Sequence, residues 1–275
     1  MTTYAIGDVQ GNYEALIRLL DKIQFNKQQD TLWFTGNLVN RDNDSLAVLR
    51  FVRDLGSRAV SVLGEEELRL LAFAEGVRTP EDNTVFDDVL SAPDRDVMLK
   101  WIRQLPFLHH ESNFTLVHAG IPAEWSLSQA QTLAMEAEAS LSMGNHKSFL
   151  ENIFGDDPTR WHAKHRGWKR VRFIVNAFTR MRYCNDTGRL DFSSHGSNHN
   201  SDHNSEKTAG KNLMPWYCLP DRAMAQQNII FGHWPAPDSE TTPGIFALDT
   251  DSEQLTALAL SSTSATPEKI SVACA

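Results

Sequence analysis

The sequence predicts an α/β fold with a helical cap, on three observations. β-type runs alternate with amphipathic helical patterns along the N-terminal stretch. Five Gly-marked blocks each close a β-type run: GDVQG from Gly7, GNLVNR from Gly36, GEEE from Gly64, HAG from His118 and GHW from Gly232. Long helical patterns then fill most of the middle of the chain. Such folds gather their loops at the C-terminal strand ends, where sites are built.

Taken in order, Tyr4-Ala5-Ile6 reads as a short buried strand ending at Gly7. Asn12 stands where a helix N-cap belongs, and Ala15, Leu16, Leu19, Leu20 and Ile23 follow at helical spacing. Thr31 to Thr35 is the next strand, closed by Gly36, and a helix from about Ser45 carries Leu46, Leu49, Val52 and Leu55. Ala59 to Leu63 is a third strand before Gly64, followed by a helix with Leu68, Leu71 and Ala72. From Thr79 to Leu105, and from Ser126 to Phe154, the pattern is helical, interrupted by a strand at Phe114 to Val117. Strands are expected again at Val171 to Val175, Asn228 to Phe231, Ile245 to Leu248 and Leu255 to Leu260. The polar run from Ser193 to Lys207 has the composition of a mobile loop, whose histidines need hold no metal. The small, polar tail after Ser261 is expected to fray. No internal repeat is present.

At 275 residues the chain can bury one large core or at most two small ones. A net charge of -9 argues against nucleic acid or an anionic membrane as the main partner, since both select basic surfaces. Three cysteines with no paired spacing point to a reducing, cytoplasmic compartment. MTTYAIGDV lacks the pattern of a signal peptide, and no apolar run is long enough to span a bilayer.

Glycine turns at several strand ends can aim Asp, Asn, His and Glu side chains at one centre. Two-metal phosphoester chemistry needs such a centre, with a carboxylate bridging ions roughly 3.5–4 Å apart. One block alone is weak, because Gly-Asp after a strand is common. Alone, Asp8 also reads as a turn cap, and His118 or His233 as a core histidine. Glu65, Glu66 and Glu67 read equally well as an acidic first turn opposing the helix dipole. Five blocks in order point to the scaffold.

The segments TYAIGDVQGNYEALIRLL, DTLWFTGNLVNR, VHAGI, RFIVNAFTRMRYC, PWY, FGHW and GIFALDT resemble the symmetrical diadenosine tetraphosphate hydrolases, or bis(5'-nucleosyl)-tetraphosphatases. These belong to the phosphoprotein-phosphatase-like metallophosphoesterases, and the likeness covers most of the chain. It implies one domain over 1–275, a β-sandwich of mixed sheets flanked by helices. Cap insertions are expected at about 79–112 and 123–168, and a mobile loop at about 193–212.

The resemblance also implies a ligand set that this chain keeps only in part. Asp8 matches a first-metal ligand, and His118 and His233 match two second-metal histidines. Gln10 stands for a metal histidine, Asn37 for the bridging Asp, Glu65 for a metal Asn and Glu66 for the His that protonates the leaving group. Asn37 cannot supply a bridging charge, and Gln10 is a weak ligand. Glu65, His118 and His233 form a two-histidine, one-carboxylate set for a single Mn, Zn, Fe or Co ion. Arg41, Asn176, Arg180 and Arg182 match substrate-contacting positions, with Asp42 replacing a Gly beside Arg41. The family's Gly- and Cys-rich continuation after ALDT is replaced by DSEQLTALAL.

The expected ligand is a dinucleoside polyphosphate or another nucleotide. Three readings follow: a catalytically impaired relative that still binds, an active hydrolase with an altered metal set, or a one-metal phosphoesterase.

Overall fold

A computed structural model describes the chain except residues 41–43, 79–85, 144, 194–212, 237–238, 251–252, 261–266 and 275. Strand β1 (Thr3–Ile6) leads into α1 (Tyr13–Lys22), whose N-cap Asn12 accepts a hydrogen bond from Ala15 N–H at 2.9 Å. β2 (Thr31–Phe34), α2 (Ser45–Asp54), β3 (Ala59–Ser61) and α3 (Glu65–Ala74) continue the alternation. The helical part holds α4 (Asp87–Leu90), α5 (Arg95–Ile102), α6 (Leu127–Ser142), α7 (His146–Ile153) and α8 (Gly167–Arg180). Between α5 and α6 runs a hairpin, β4 (Leu108–Glu111) and β5 (Phe114–Val117). The chain ends with β6 (Tyr183–Asn185), β7 (Leu190–Asp191), β8 (Leu213–Pro215), β9 (Asn228–Phe231), β10 (Ile245–Ala247), β11 (Gln254–Leu260) and β12 (Glu268–Ala273).

Two mixed sheets form the core, in the orders β12-β11-β1-β2-β3 and β10-β9-β5-β4, with a small third sheet β7-β6-β8 beside them. Side chains alternate across each strand. Ala5, Trp33 and Val62 of one sheet therefore meet Leu116 and Ile230 of the other in the sandwich interior. Ile6, Leu32 and Phe34 turn outward onto the helices. β1, β2 and β3 are mutually parallel, as are β5 and β9. Parallel strands end on the same edge, so the residues after each are brought to one rim of the sandwich. The mixed α/β sandwich agrees with the expectation. No helix among the described residues is long and apolar enough to cross a membrane.

Three expectations are corrected. Val171 to Val175 is not a strand but part of α8. Its β-branched run carries a helical period as well, and Val171, Ile174, Val175 and Phe178 are buried, Phe173 and Phe178 beside Trp125. Packing of that stripe outweighs β propensity. β4 lies inside the stretch expected to be cap, because LHHE shows little alternation, and its pairing with β5 makes it a strand. The tail does not simply fray: Glu268 to Ala273 pairs antiparallel with β11, and Arg18 and Lys22 of α1 donate to the carbonyls of Ala273 and Ser271. The expected mobile loop, from 194 on, lies outside the described residues.

Candidate metal centre

Asp8 follows β1, and its buried carboxylate accepts three hydrogen bonds. Thr35 Oγ1 donates to Oδ1 at 2.8 Å; Asn37 Nδ2 and the His233 backbone N–H donate to Oδ2 at 3.1 and 3.2 Å. Burial, then the neighbouring Asp249, pushes its pKa well above the usual carboxylate range against those donors. The close approach of the His233 turn requires glycine at 232, where a Cβ would collide with Asp8 Oδ1 and lie 2.6 Å from Thr35 Oγ1.

Asn37 sits after β2 with φ +47 and is nearly sealed from solvent. Its orientation is fixed at both ends: Nδ2 donates to the Asp8 carboxylate, and Oδ1 accepts from Glu66 N–H at 3.0 Å. The same chain position is anchored by Glu67, which is fully buried. Its carboxylate accepts from the N–H groups of Asn37, Leu38, Val39 and Gly64 at 2.7–3.4 Å. Burial raises its pKa, opposed by these donors. Glu67 was not singled out by sequence reasoning. The signal was there, since Glu at the third helical position after Gly64 is the acidic half of a capping box.

Glu65, His118 and His233 offer ligand atoms that all lie within 4.8 Å of one another. His118 follows β5 and is fully buried. Its Nδ1 lies 2.7 Å from the Thr35 carbonyl oxygen, so Nδ1 carries the proton and donates. Nε2 is then a bare lone pair with no hydrogen-bond partner. Burial, then His233, pushes the His118 pKa down to about 3, which keeps it neutral. His233 adopts φ +71, and its Nδ1 lies 3.3 Å from Glu65 Oε1. Its Nε2 accepts from Arg182 Nε–H at 3.1 Å. Burial favours the neutral form of Glu65, but His233, then His118 and Arg182, outweigh it and hold the carboxyl at about 2.

Glu66 is not part of this trio and pairs instead with Arg69. Arg69 Nη1 reaches both its oxygens at 2.7 Å, and burial, offset by Arg69, brings its pKa up to about 7. Gln10 adopts φ +52, with its backbone N–H on the Asn37 carbonyl at 2.8 Å. Arg41 and Asp42 lie outside the described residues. A cleft of about 260 Å³ opens beside Glu65, walled by Arg69, Arg78, Phe154, Asn176 and Arg180. Asn176 is buried within that wall: its Nδ2 donates to the Gly155 carbonyl at 2.8 Å, and its Oδ1 accepts from Arg180 at 3.2 Å. Arg180 also pairs with Asp156 at 2.9 Å and covers the Phe192 ring. Of these two arginines, Arg180 thus lines the cleft while Arg182 turns to His233.

The donors decide which metal chemistry fits. A carboxylate-bridged pair of ions does not: Asn37 is a neutral amide with no charge to share between two ions, its Oδ1 already accepts one bond from Glu66 N–H, and its Nδ2 donates to Asp8. The one-metal set fits in donor type and spacing. His118 presents an unpaired buried lone pair, backed by the carbonyl that usually orients a metal-binding histidine.

Residues 1–254 match the family model described as calcineurin-like phosphoesterase. The chain is 44% identical over 266 residues to the symmetrical bis(5'-nucleosyl)-tetraphosphatase of Methylococcus capsulatus, spanning 96% of this chain and 93% of that relative. It is 42% identical over 253 residues to the enzyme of the same name from Escherichia coli O81, spanning 91% and 87%. A solved structure provisionally assigned as a diadenosine tetraphosphatase superposes with a TM-score of 0.60 over 99% of this chain and 93% of its own. At 19% identity it speaks for the fold alone. The chain therefore belongs to the calcineurin-like phosphoesterases, within the family of the symmetrical bis(5'-nucleosyl)-tetraphosphatases.

Proposed function

We propose that the chain binds a dinucleoside polyphosphate or related nucleotide at this rim and has lost most of the hydrolysis for which its relatives are named. The observation that carries the reading is the neutral Asn37 amide, oriented with its N–H toward Asp8 and its oxygen toward Glu66 N–H. It supplies no charge to hold a second ion. Removing one preorganised electrostatic contact costs about 10²–10³ in rate. Here the bridge and the leaving-group histidine are both replaced, the latter by Glu66, a carboxyl tied to Arg69. Binding is supported by the cleft and by Arg180, held in place by the buried Asn176. We place the protein in the cytoplasm on its cysteine count and spacing.

A one-metal phosphoesterase is the second reading, favoured by the buried, unpartnered lone pair of His118. Glu65, His118 and His233 would hold a Mn, Zn, Fe or Co ion, which supplies a Lewis acid when bound. The chain's own residues then have separate tasks: Thr35 fixes the His118 tautomer, Glu67 fixes the turn at Asn37, and Arg180 holds anionic oxygens.

The test combines calorimetry of ADP and diadenosine tetraphosphate with a hydrolysis assay in Mn, Co, Zn or Mg. The expected result is binding that Arg180→Ala weakens by about tenfold or more, the scale of a lost charge-assisted hydrogen bond, with turnover far below that of the relatives. Rapid symmetrical cleavage to two ADP sinks the impaired reading and leaves an active hydrolase with an altered metal set.

A further inference from the structure

We propose that Arg182 competes with a divalent metal for His233, so that the chain's own guanidinium holds the half-site in a metal-free, hydrogen-bonded form. The inference rests on reading Glu65, His118 and His233 as a one-metal site.

The two histidines of that site are presented in opposite ways. His118 is ready for a ligand role, with its proton fixed on Nδ1 by Thr35 and its lone pair on Nε2 turned inward without a partner. His233 is not ready. An arginine Nε–H only donates, so the Nε2 it meets at 3.1 Å must carry the lone pair. The neutral ring then has its proton on Nδ1, the buried atom 3.3 Å from Glu65 Oε1 that makes no hydrogen bond of its own. A metal at the trio needs the Nδ1 lone pair. The ring must lose its proton from Nδ1 and take one up at Nε2, a tautomer change that leaves it neutral. Two donors, Nε2–H and Arg182 Nε–H, would then face each other, and the guanidinium has to leave.

Arg182 is well placed to act in this way. Its Nη2 also donates to the His233 carbonyl at 3.4 Å, and no carboxylate lies within ion-pair distance of it among the described residues. It sits two residues past α8, and its own carbonyl accepts from Trp216 N–H at 3.1 Å, so its backbone is pinned while its side-chain hydrogen bonds among the described residues go to His233 alone. The Asn37 amide plays the matching part at the other half-site, offering Asp8 a donor where an ion would otherwise stand.

The test is a cobalt titration of the full chain, followed by the visible absorption of the bound ion, for the unmodified protein, Arg182→Met and Arg182→Lys. Circular dichroism establishes that each variant folds. Outer-shell partners change metal affinity by about 10–100-fold, and Arg182→Met is expected to bind at least about tenfold tighter. Arg182→Lys keeps the charge without the fixed Nε–H fork. If it recovers more than half of the Met gain on a logarithmic scale, the hydrogen bond is the competitor. If it recovers less than half, charge alone is responsible and the inference falls. Equal affinity of all three also overturns it. Absence of cobalt binding in every folded chain instead overturns the one-metal reading beneath it.

A measurement on the unmodified chain does not depend on the variants. The Arg182 Nε–H nuclear resonance should show its hydrogen bond to His233 in the metal-free protein and lose it on addition of zinc. Persistence of that bond with zinc held at His233 overturns the inference.

Discussion

Asn37→Asp restores the carboxylate that a two-metal centre requires, yet without metal it should destabilise this chain. The substitution places a carboxylate oxygen 3.1 Å from Asp8 Oδ2, where an amide N–H₂ now donates. The accepted bond from Glu66 N–H survives, since Asp keeps an oxygen there. Two full charges at that spacing repel by about 5 kcal/mol at an effective dielectric of 20. The pair escapes part of this by holding one proton. Keeping an ordinary carboxyl protonated at pH 7 costs about 4 kcal/mol, at 1.36 kcal/mol per pH unit. The shared proton then returns a hydrogen bond worth about 1–2 kcal/mol. The expected loss is therefore about 2–3 kcal/mol at pH 7 in chelator.

The sign of the pH dependence follows. A carboxyl whose folded pKa is raised favours folding below its unfolded pKa and loses that advantage as pH rises through the folded value. The penalty should shrink by about 2–3 kcal/mol between pH 7 and pH 5. Urea denaturation of both chains at the two pH values measures it. A variant as stable as the parent at pH 7, or a penalty indifferent to pH, would refute the assignment of Asn37 as the donor to Asp8.

Other outcomes are expected from the same site. Glu67→Gln leaves one oxygen for four backbone N–H groups, so urea denaturation should show a loss of about 2–4 kcal/mol; a loss under 0.5 would remove Glu67 as the anchor of the Asn37 turn. His118 is held at about 3 while its ordinary value is 6.5. The unfolded chain therefore takes up a proton that the fold refuses, and stability falls as pH drops below 6.5, by up to about 1.4 kcal/mol per unit. His118→Gln should remove that component from the pH profile of the metal-free protein, and an unchanged acid limb would show that His118 is not the group responsible.

The sequence made legible what depends on local chemistry. Each glycine block is a turn at a strand end, so its residues declare both the strand and the rim. The amide at Asn37, where the resemblance implies a carboxylate, is visible without coordinates. Asn12 capping α1 is equally local. What stayed hidden depends on packing. The run from Val171 to Val175 serves either period, and only the aromatic neighbours in the folded chain choose the helix. The strand at 268–273 has Ile270 and Val272 as its apolar signal, too little until β11 offers an edge. In the site, Arg182 matched a phosphate-contacting position by likeness, yet its nearest polar partner is the imidazole of His233, 51 residues away. Glu67 looked like one of three equivalent acids, whereas burial divides the trio into an anchor, an arginine-paired acid and a candidate ligand.

The claim that this family site no longer assembles two metals is tested most directly by counting them. The protein is saturated with manganese, freed of excess ion by gel filtration, and measured by inductively coupled plasma mass spectrometry alongside diadenosine tetraphosphate turnover on the same sample. No more than one ion per chain and slow turnover are expected. Two ions per chain with rapid release of ADP would contradict it.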